Sequence, residues 1–363
     1  MQPELVLTKA SQQWATRPAD QRFLSIADLK ASVLARKQES WTVSPQIGNL
    51  RVLPTDDGLA VQVYDPTQGM NKNLYPTNWA FGQLAGYVGA PASYLRKLPP
   101  EIAAIDLQWG LEHDAVRPDG LLLAQSNGSN IMRAITSNSY GRIWDAQVVE
   151  AVENINHGNR WVVPSASYTA SNPLRATTLY ASDRDIFMFL VDDKNVIEVN
   201  DDQLYRGFYV FNSEVGSAVF GLATFLYRVV CDNRMIWGAQ NYREINIRHT
   251  GGAPDRFLYE GEKYLEKFAN GSTQVIEYEI SKAQETAVPL KVDQTPEMWL
   301  QERGFTKSEA GAAITTAIAS EGEARTVWQV INGVTAYARS IQHTDLRVGL
   351  EKKAGSLMSF ATG

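Results

Sequence analysis

The chain has 363 residues, 34 Lys and Arg against 40 Asp and Glu, and a formal net charge of −6, which argues against a uniformly basic nucleic-acid binder but not against a local basic face. Its 44% hydrophobic and 20% charged content is that of a globular protein, and no run reaches the roughly 18 to 20 apolar residues of a membrane span. A lone cysteine, Cys231, excludes an internal disulfide, and Met1 to Lys9 lacks the pattern of a secretion signal, so a reducing, cytoplasmic setting is expected.

The first helix is predicted over residues 19–39, with Pro18 at its start and Phe23, Ile26, Leu29, Val33 and Leu34 at helical spacing. Short strands are predicted at 47–53 and 59–64, around the turn signal Asp56-Asp57-Gly58. Residues 77–112 read as a helical block. Within it Ala85, Gly89, Leu95 and Leu98 suit two short helices meeting at a glycine turn, with Pro91 opening the second. Lys72, Arg96 and Lys97 are the charges between residues 70 and 98, and Arg96 and Lys97 can meet phosphate.

The centre is strand-rich. Strands are predicted at Leu121–Gln125, Asn130–Ser137, Arg175–Ala181, Ile186–Val191, Leu204–Asn212 and Tyr242–Arg248, with a helix at 145–156 between them. The apolar run Ala218–Val230 exceeds a typical strand in length and is predicted as a buried helix. From residue 255 onward the pattern is helical, interrupted at Pro289 and Pro296, with Thr295 as an N-cap and Val327, Ile331, Val334, Ala338 and Ile341 as the stripe of the last strong helix. The resulting expectation is an α+β fold. A central mixed or antiparallel sheet carries N-terminal helical insertions and a C-terminal helical region, divided at 1–75, 76–254 and 255–363.

Scarce residues narrow the chemistry. His113, His157, His249 and His343 are far apart, so no HExxH helix and no Cys/His metal or nucleophile signature can be written. A phosphate loop and a GxSxG elbow are also missing. No cofactor is expected. Three constellations remain. Asn212, Ser213 and Glu214 end a strand, where they can cap the next segment, with Glu214 suited to the positive end of a helix, or bind a ligand. Asp183 and Asp185, with Glu214, are a metal alternative of the kind a nuclease uses, set against solvated turn acids. A basic and aromatic set comprises Arg133, Tyr140, Arg142, Trp144, Arg206, Tyr209, Arg228, Arg234, Tyr242, Arg243 and Arg248, set against ordinary surface salt bridges. Arg206 and Tyr209 are three apart, so a flat strand points them to opposite faces.

Four strings and a C-terminal segment carry a family resemblance: AFGQLAGYVGAPASYLRKLP (Ala80–Pro99), RAITSNSYGRIWDA (Arg133–Ala146), SDRDIFMFLVDD (Ser182–Asp193), YRGFYVFNSEVG (Tyr205–Gly216) with VCDN (Val230–Asn233), and TAYARSIQHTDLRVGLEKKAG (Thr335–Gly355). In this order they resemble phage- and plasmid-encoded proteins of the domain-of-unknown-function 932 family, over roughly residues 75–355. Arg234 departs from the pattern, in which a glycine is expected after the asparagine of VCDN. The resemblance implies a mobile-element setting. Combined with the basic and aromatic set, it gives the leading expectation: a non-catalytic oligomer that binds single-stranded DNA in annealing, recombination or DNA processing. The alternatives are a protein-interaction or host-defence-antagonist protein and, further off, a divalent-metal nuclease. No membrane partner is expected.

Overall fold

In the computed structural model, residues 19–362 are described except 57, 164–177, 193, 201, 229–232, 236–244, 342–349 and 351–352. The side chains of 225–228, 233–235 and 339 also lie outside the description. The fold is α+β. After a 3₁₀ turn at Ala19–Gln21 come β1 (Arg22–Phe23) and α1 (Ile26–Gln38). The helix begins later than Pro18 suggests because Ser25 caps it, its hydroxyl accepting from the Asp28 N–H.

Residues 40–136 build the first sheet. Its strands are β2 (Ser40–Val43), β3 (Arg51–Thr55), β4 (Gly58–Asp65), β5 (Met70–Pro76), β6 (Leu121–Ser126) and β7 (Asn130–Thr136), in the order β2-β6-β7-β5-β4-β3. The β5–β7 pairing is parallel and the rest antiparallel, so this sheet is mixed. The parallel pairing needs a crossover, which the helical block supplies as α2 (Asn78–Tyr87), α3 (Ala92–Leu95) and α4 (Pro100–His113). Thr77 caps α2, and Gly89, at φ 66°, makes the turn before α3. Leu84, Leu95, Leu107 and Leu111 from the helices pack on Val61, Leu74, Leu122 and Met132 of the sheet. The expected boundary at residue 75 therefore falls inside β5, within one sheet and one core.

The second sheet is antiparallel and begins again after α5 (Asp145–Ile155). Its strands are β1, β8 (Trp161–Val162), β9 (Leu179–Ala181), β10 (Ile186–Asp192), β11 (Ile197–Val199), β12 (Asp202–Asn212), β13 (Phe220–Arg228), β14 (Asn233–Met235) and β15 (Ile245–Ile247). The Ala218–Val230 run forms β13, not a helix, and pairs with β12 from Leu204↔Arg228 to Phe211↔Gly221. Its sequence lacks alternation because both sheet faces are covered. Phe220 and Leu222 belong to the core beneath α1 and α5, while Ala223 belongs to the opposite aromatic layer of Tyr180, Phe187, Phe189, Tyr209 and Phe211.

The chain continues through α6 (Ala253–Arg256), a π turn (Phe257–Gly261) and α7 (Glu262–Asn270), which pack Phe257, Leu265 and Phe268 under the second sheet. Then follow α8 (Gln274–Glu285), α9 (Pro296–Gln301), α10 (Lys307–Glu321), α11 (Val327–Ser340) and α12 (Ser359–Thr362). Thr295 caps α9 as expected, and capping boxes open α10 (Thr306, Glu309) and α11 (Thr326, Gln329). These helices close a separate core that includes Ile197, Val199 and Leu204. Among the described residues no helix is long and apolar enough to cross a membrane.

Candidate functional site

The densest polar cluster lies where the two sheets meet. Asn212, Ser213 and Glu214 leave the end of β12 and run against β7 of the first sheet, the loop before α5, and α1. Glu214 is 1% exposed, yet it is fully engaged. Its Oε2 accepts from Arg133 on β7 at 2.7 Å and lies 3.7 Å from the Arg36 guanidinium of α1, while its Oε1 accepts from the Asp145 backbone N–H at 2.9 Å. Glu214 thus does sit at the positive end of a helix, but that helix is α5, not the segment directly after it in sequence. Asp145, also 1% exposed, pairs with Arg36 at 2.6 Å and accepts from Asn212 Nδ2 at 2.8 Å.

The surrounding groups fix this cluster in place. Asn212 Nδ2 also donates to the Ile143 carbonyl, and Arg142 donates to the Glu214 carbonyl. Tyr140 donates its hydroxyl to the Ser213 carbonyl at 2.8 Å, and its ring stacks on His249 at 5.0 Å. Trp79 Nε1 and Gln83 Nε2 of α2 both donate to the Val215 carbonyl. Ser213 Oγ accepts from the Val215 and Ser217 N–H groups and donates to the Arg184 carbonyl. It organises a turn and is not poised as a nucleophile. Gly141 is required where it stands, because an added Cβ would lie 1.8 Å from the Thr250 carbonyl oxygen.

The carboxylates titrate as a pair. Burial, then the neighbouring charge of Glu214, push Asp145 up to about 8. Burial also acts against ionised Glu214, but Arg36 and Arg133 outweigh it and hold Glu214 below its ordinary value. Burial lowers Arg142 to about 10 and His249 to about 4, and raises the Tyr140 phenol. His249 Nδ1 lies 3.0 Å from the Gly141 carbonyl, which can only accept, so Nδ1 carries the ring proton of the neutral form. With both carboxylates sealed from solvent and held by arginines, the cluster locks the two sheets together. It offers no open face to a substrate.

The predicted residues divide sharply. Arg133, Tyr140, Arg142, Asn212, Ser213 and Glu214 converge here, and sequence reasoning missed Arg36 and Asp145. Arg206, 3% exposed, belongs to a second network. It donates to the Phe268 and Gly271 carbonyls at the end of α7, beside Asp192 and Arg160. Tyr209 stacks on Phe187 and Phe211 on the opposite face of the sheet from Arg206, as their spacing requires. Arg133, Arg142, Arg206 and Tyr209 are thus committed to the interior and present nothing to a phosphate or base. Trp144 is half-buried, with Lys37 and Arg142 over its ring.

Arg96, Lys97 and Arg248 are exposed. Arg228 and Arg234 take their places in the β13–β14 ladder, with their side chains outside the description, and Tyr242 and Arg243 lie outside the described residues. The metal alternative is not assembled. Asp183 is exposed on a tight turn between β9 and β10, Asp185 accepts from Ser182 Oγ within that turn, and Glu214 is buried among arginines. Among the described residues no three His, Cys, Asp or Glu side chains come together as a metal site.

Of the predicted basic residues that stay exposed, Arg96 lies beside an aromatic ring in a surface cleft. A cleft of about 350 Å³ lies between the β3–β5 edge and the α2–α4 block, lined by Tyr75, Phe81, Leu95, Arg96 and Leu98 among others. The Arg96 guanidinium lies over the Phe81 ring at 4.9 Å and donates to the Asn78 carbonyl at 2.8 Å. Tyr75 is 50% exposed, but Leu74 takes the helix-facing side of β5, so the Tyr75 ring belongs to the opposite face of the strand. A family model described as Domain of unknown function (DUF932) matches residues 134–353, more than half of the chain. No curated protein and no solved structure matches it.

Proposed function

We propose that this chain, which belongs to the DUF932 family, binds single-stranded nucleic acid without chemistry of its own, as a DNA-processing or annealing factor of a mobile element. The observation that carries the reading is the cleft in which Arg96 lies over Phe81. A base stacks on an aromatic or guanidinium plane regardless of its identity, and the arginine held over Phe81 meets the phosphate beside it. A net acidic chain is compatible with this, because affinity depends on the local path of charge. The absence of catalysis is inferred from the carboxylates: the two best placed for acid–base work, Asp145 and Glu214, are buried and spent on arginines.

Fluorescence anisotropy of a labelled single-stranded oligonucleotide, at about 50 and 200 mM salt, tests the proposal. Binding should weaken steeply with salt. Arg96→Ala should lower the salt slope by about 1, and Phe81→Leu, which removes the ring beneath Arg96, should cost about 1–3 kcal/mol. No binding at the lower salt, or binding that both variants leave intact, overturns the reading.

A further inference from the structure

Helix α4 has two apolar faces, and among the described residues only one is covered. Ala103, Ala104, Leu107 and Leu111 face the first core. On the opposite side Ile102, Ile105 and Trp109 are 52%, 70% and 57% exposed, and Val116 just beyond the helix is 68% exposed. The spacing of Ile102, Ile105 and Trp109 is three and then four residues, which is the seam of a helix that packs along another helix. Scattered surface hydrophobics need no explanation, but three in register on one helix, including a tryptophan, do. The Trp109 ring is not loose either, since it stacks on His113 at 5.0 Å and is held ready as a rigid anchor.

We propose that this seam is the contact between two copies of the chain, with the α4 helices antiparallel across a two-fold axis. The charges at the ends of the helix select this occupant and this direction. Arg96 and Lys97 precede α4, whereas Asp114 follows it. A parallel pair would set like charges together. An antiparallel pair brings Lys97 to Asp114 of the partner subunit, twice by symmetry, and sets Ile102 against Trp109 of the partner subunit. The pairing needs no nucleic acid, so it stands or falls separately from the cleft.

Sedimentation velocity of the full chain, without nucleic acid and across about 1–100 µM, is the test, with dimers expected to accumulate as concentration rises. Ile105→Glu places two like charges near the axis and should weaken association about 100-fold or more. Ile105 is largely exposed, so the variant should keep the wild-type far-ultraviolet spectrum, and the wild-type melting midpoint at concentrations where both are monomers. Lys97→Glu should weaken the dimer, and adding Asp114→Lys should restore it. A wild type that stays monomeric throughout leaves the seam to a different partner and overturns the proposal. So does a dimer indifferent to Ile105→Glu, or a charge swap that fails to restore association.

Discussion

Replacing Glu214 by Gln removes the one carboxylate that both Arg133 and Arg36 face. In the wild type it accepts from Arg133 at 2.7 Å and from the Asp145 N–H at 2.9 Å, at 1% exposure. The substituted amide can keep one acceptor contact, but it turns a donor toward a guanidinium. Breaking a buried pair from one side typically costs about 3–5 kcal/mol. One compensation reduces this. Without Glu214, the second cause of the raised Asp145 value is gone, so Asp145 ionises more readily, although burial still opposes it, and takes over part of the arginine charge. The expected loss at pH 7 is therefore about 2–4 kcal/mol.

The pH dependence separates this mechanism from simple misfit. A carboxyl whose folded value lies above its unfolded one costs stability as pH rises between the two, here from the ordinary 3.8 to about 8. The variant keeps the part of that cost that burial imposes and loses the part that Glu214 adds, so the penalty of Glu214→Gln should shrink from about pH 5.5 to pH 8. Urea unfolding followed by far-ultraviolet circular dichroism gives the numbers. Adding Arg133→Met completes a double-mutant cycle, with an expected coupling of about 2 kcal/mol and a double variant less impaired than the sum. A loss below about 1 kcal/mol, or no coupling, would refute the view that this network joins the sheets.

His249, lowered to about 4 by burial, should make stability fall as pH drops from the ordinary 6.5 toward that point, by about 3 kcal/mol, and His249→Asn should flatten this limb in urea titrations. Gly333→Ala should destabilise the C-terminal helices by about 1–3 kcal/mol, since its Cβ would lie 2.4 Å from the Ala317 Cβ and 2.5 Å from the Ala313 carbonyl oxygen. Gly311→Ala, in α10 with nothing within 4 Å of the added Cβ, should instead stabilise by up to about 1 kcal/mol, and thermal melts of the two variants compare them directly.

Local rules made much of the fold legible. Periodicity located α2 to α5, the strands β6, β7, β10 and β12, and the helical C-terminal region, because each element buries one face or is bounded by turn residues. β2 and β5 escaped because Ser40–Val43 is short and Met70–Pro76 is mostly polar, so their pairing comes from the sheet and not from their own pattern. β13 misled for the opposite reason. An apolar run covered on both faces has no period, and its aromatic content and the Gly216-Ser217 break were the cues that favoured a strand.

The candidate site was half legible for a related physical reason. A strand-end signal such as Asn212-Ser213-Glu214 announces that polar groups need partners, but it does not say which. The partners of Glu214 are 81 and 69 residues away, and Arg36 reaches Asp145 across 109. Arginine count was the weak guide here, because guanidinium suits an internal carboxylate or a helix C-terminus as well as it suits a phosphate. Arg133 and Arg206 took the internal roles, one between the sheets and one beneath α7. What separates the two uses is whether a carboxylate or helix end is supplied from within. Glu214 and Asp145 are supplied to Arg133 and Arg36, whereas Arg96 bonds to the Asn78 carbonyl and lies over Phe81 at an open cleft. The polar interior therefore accounts for how the sheets are held, and a search for the ligand belongs at the first sheet's outer cleft and along α4.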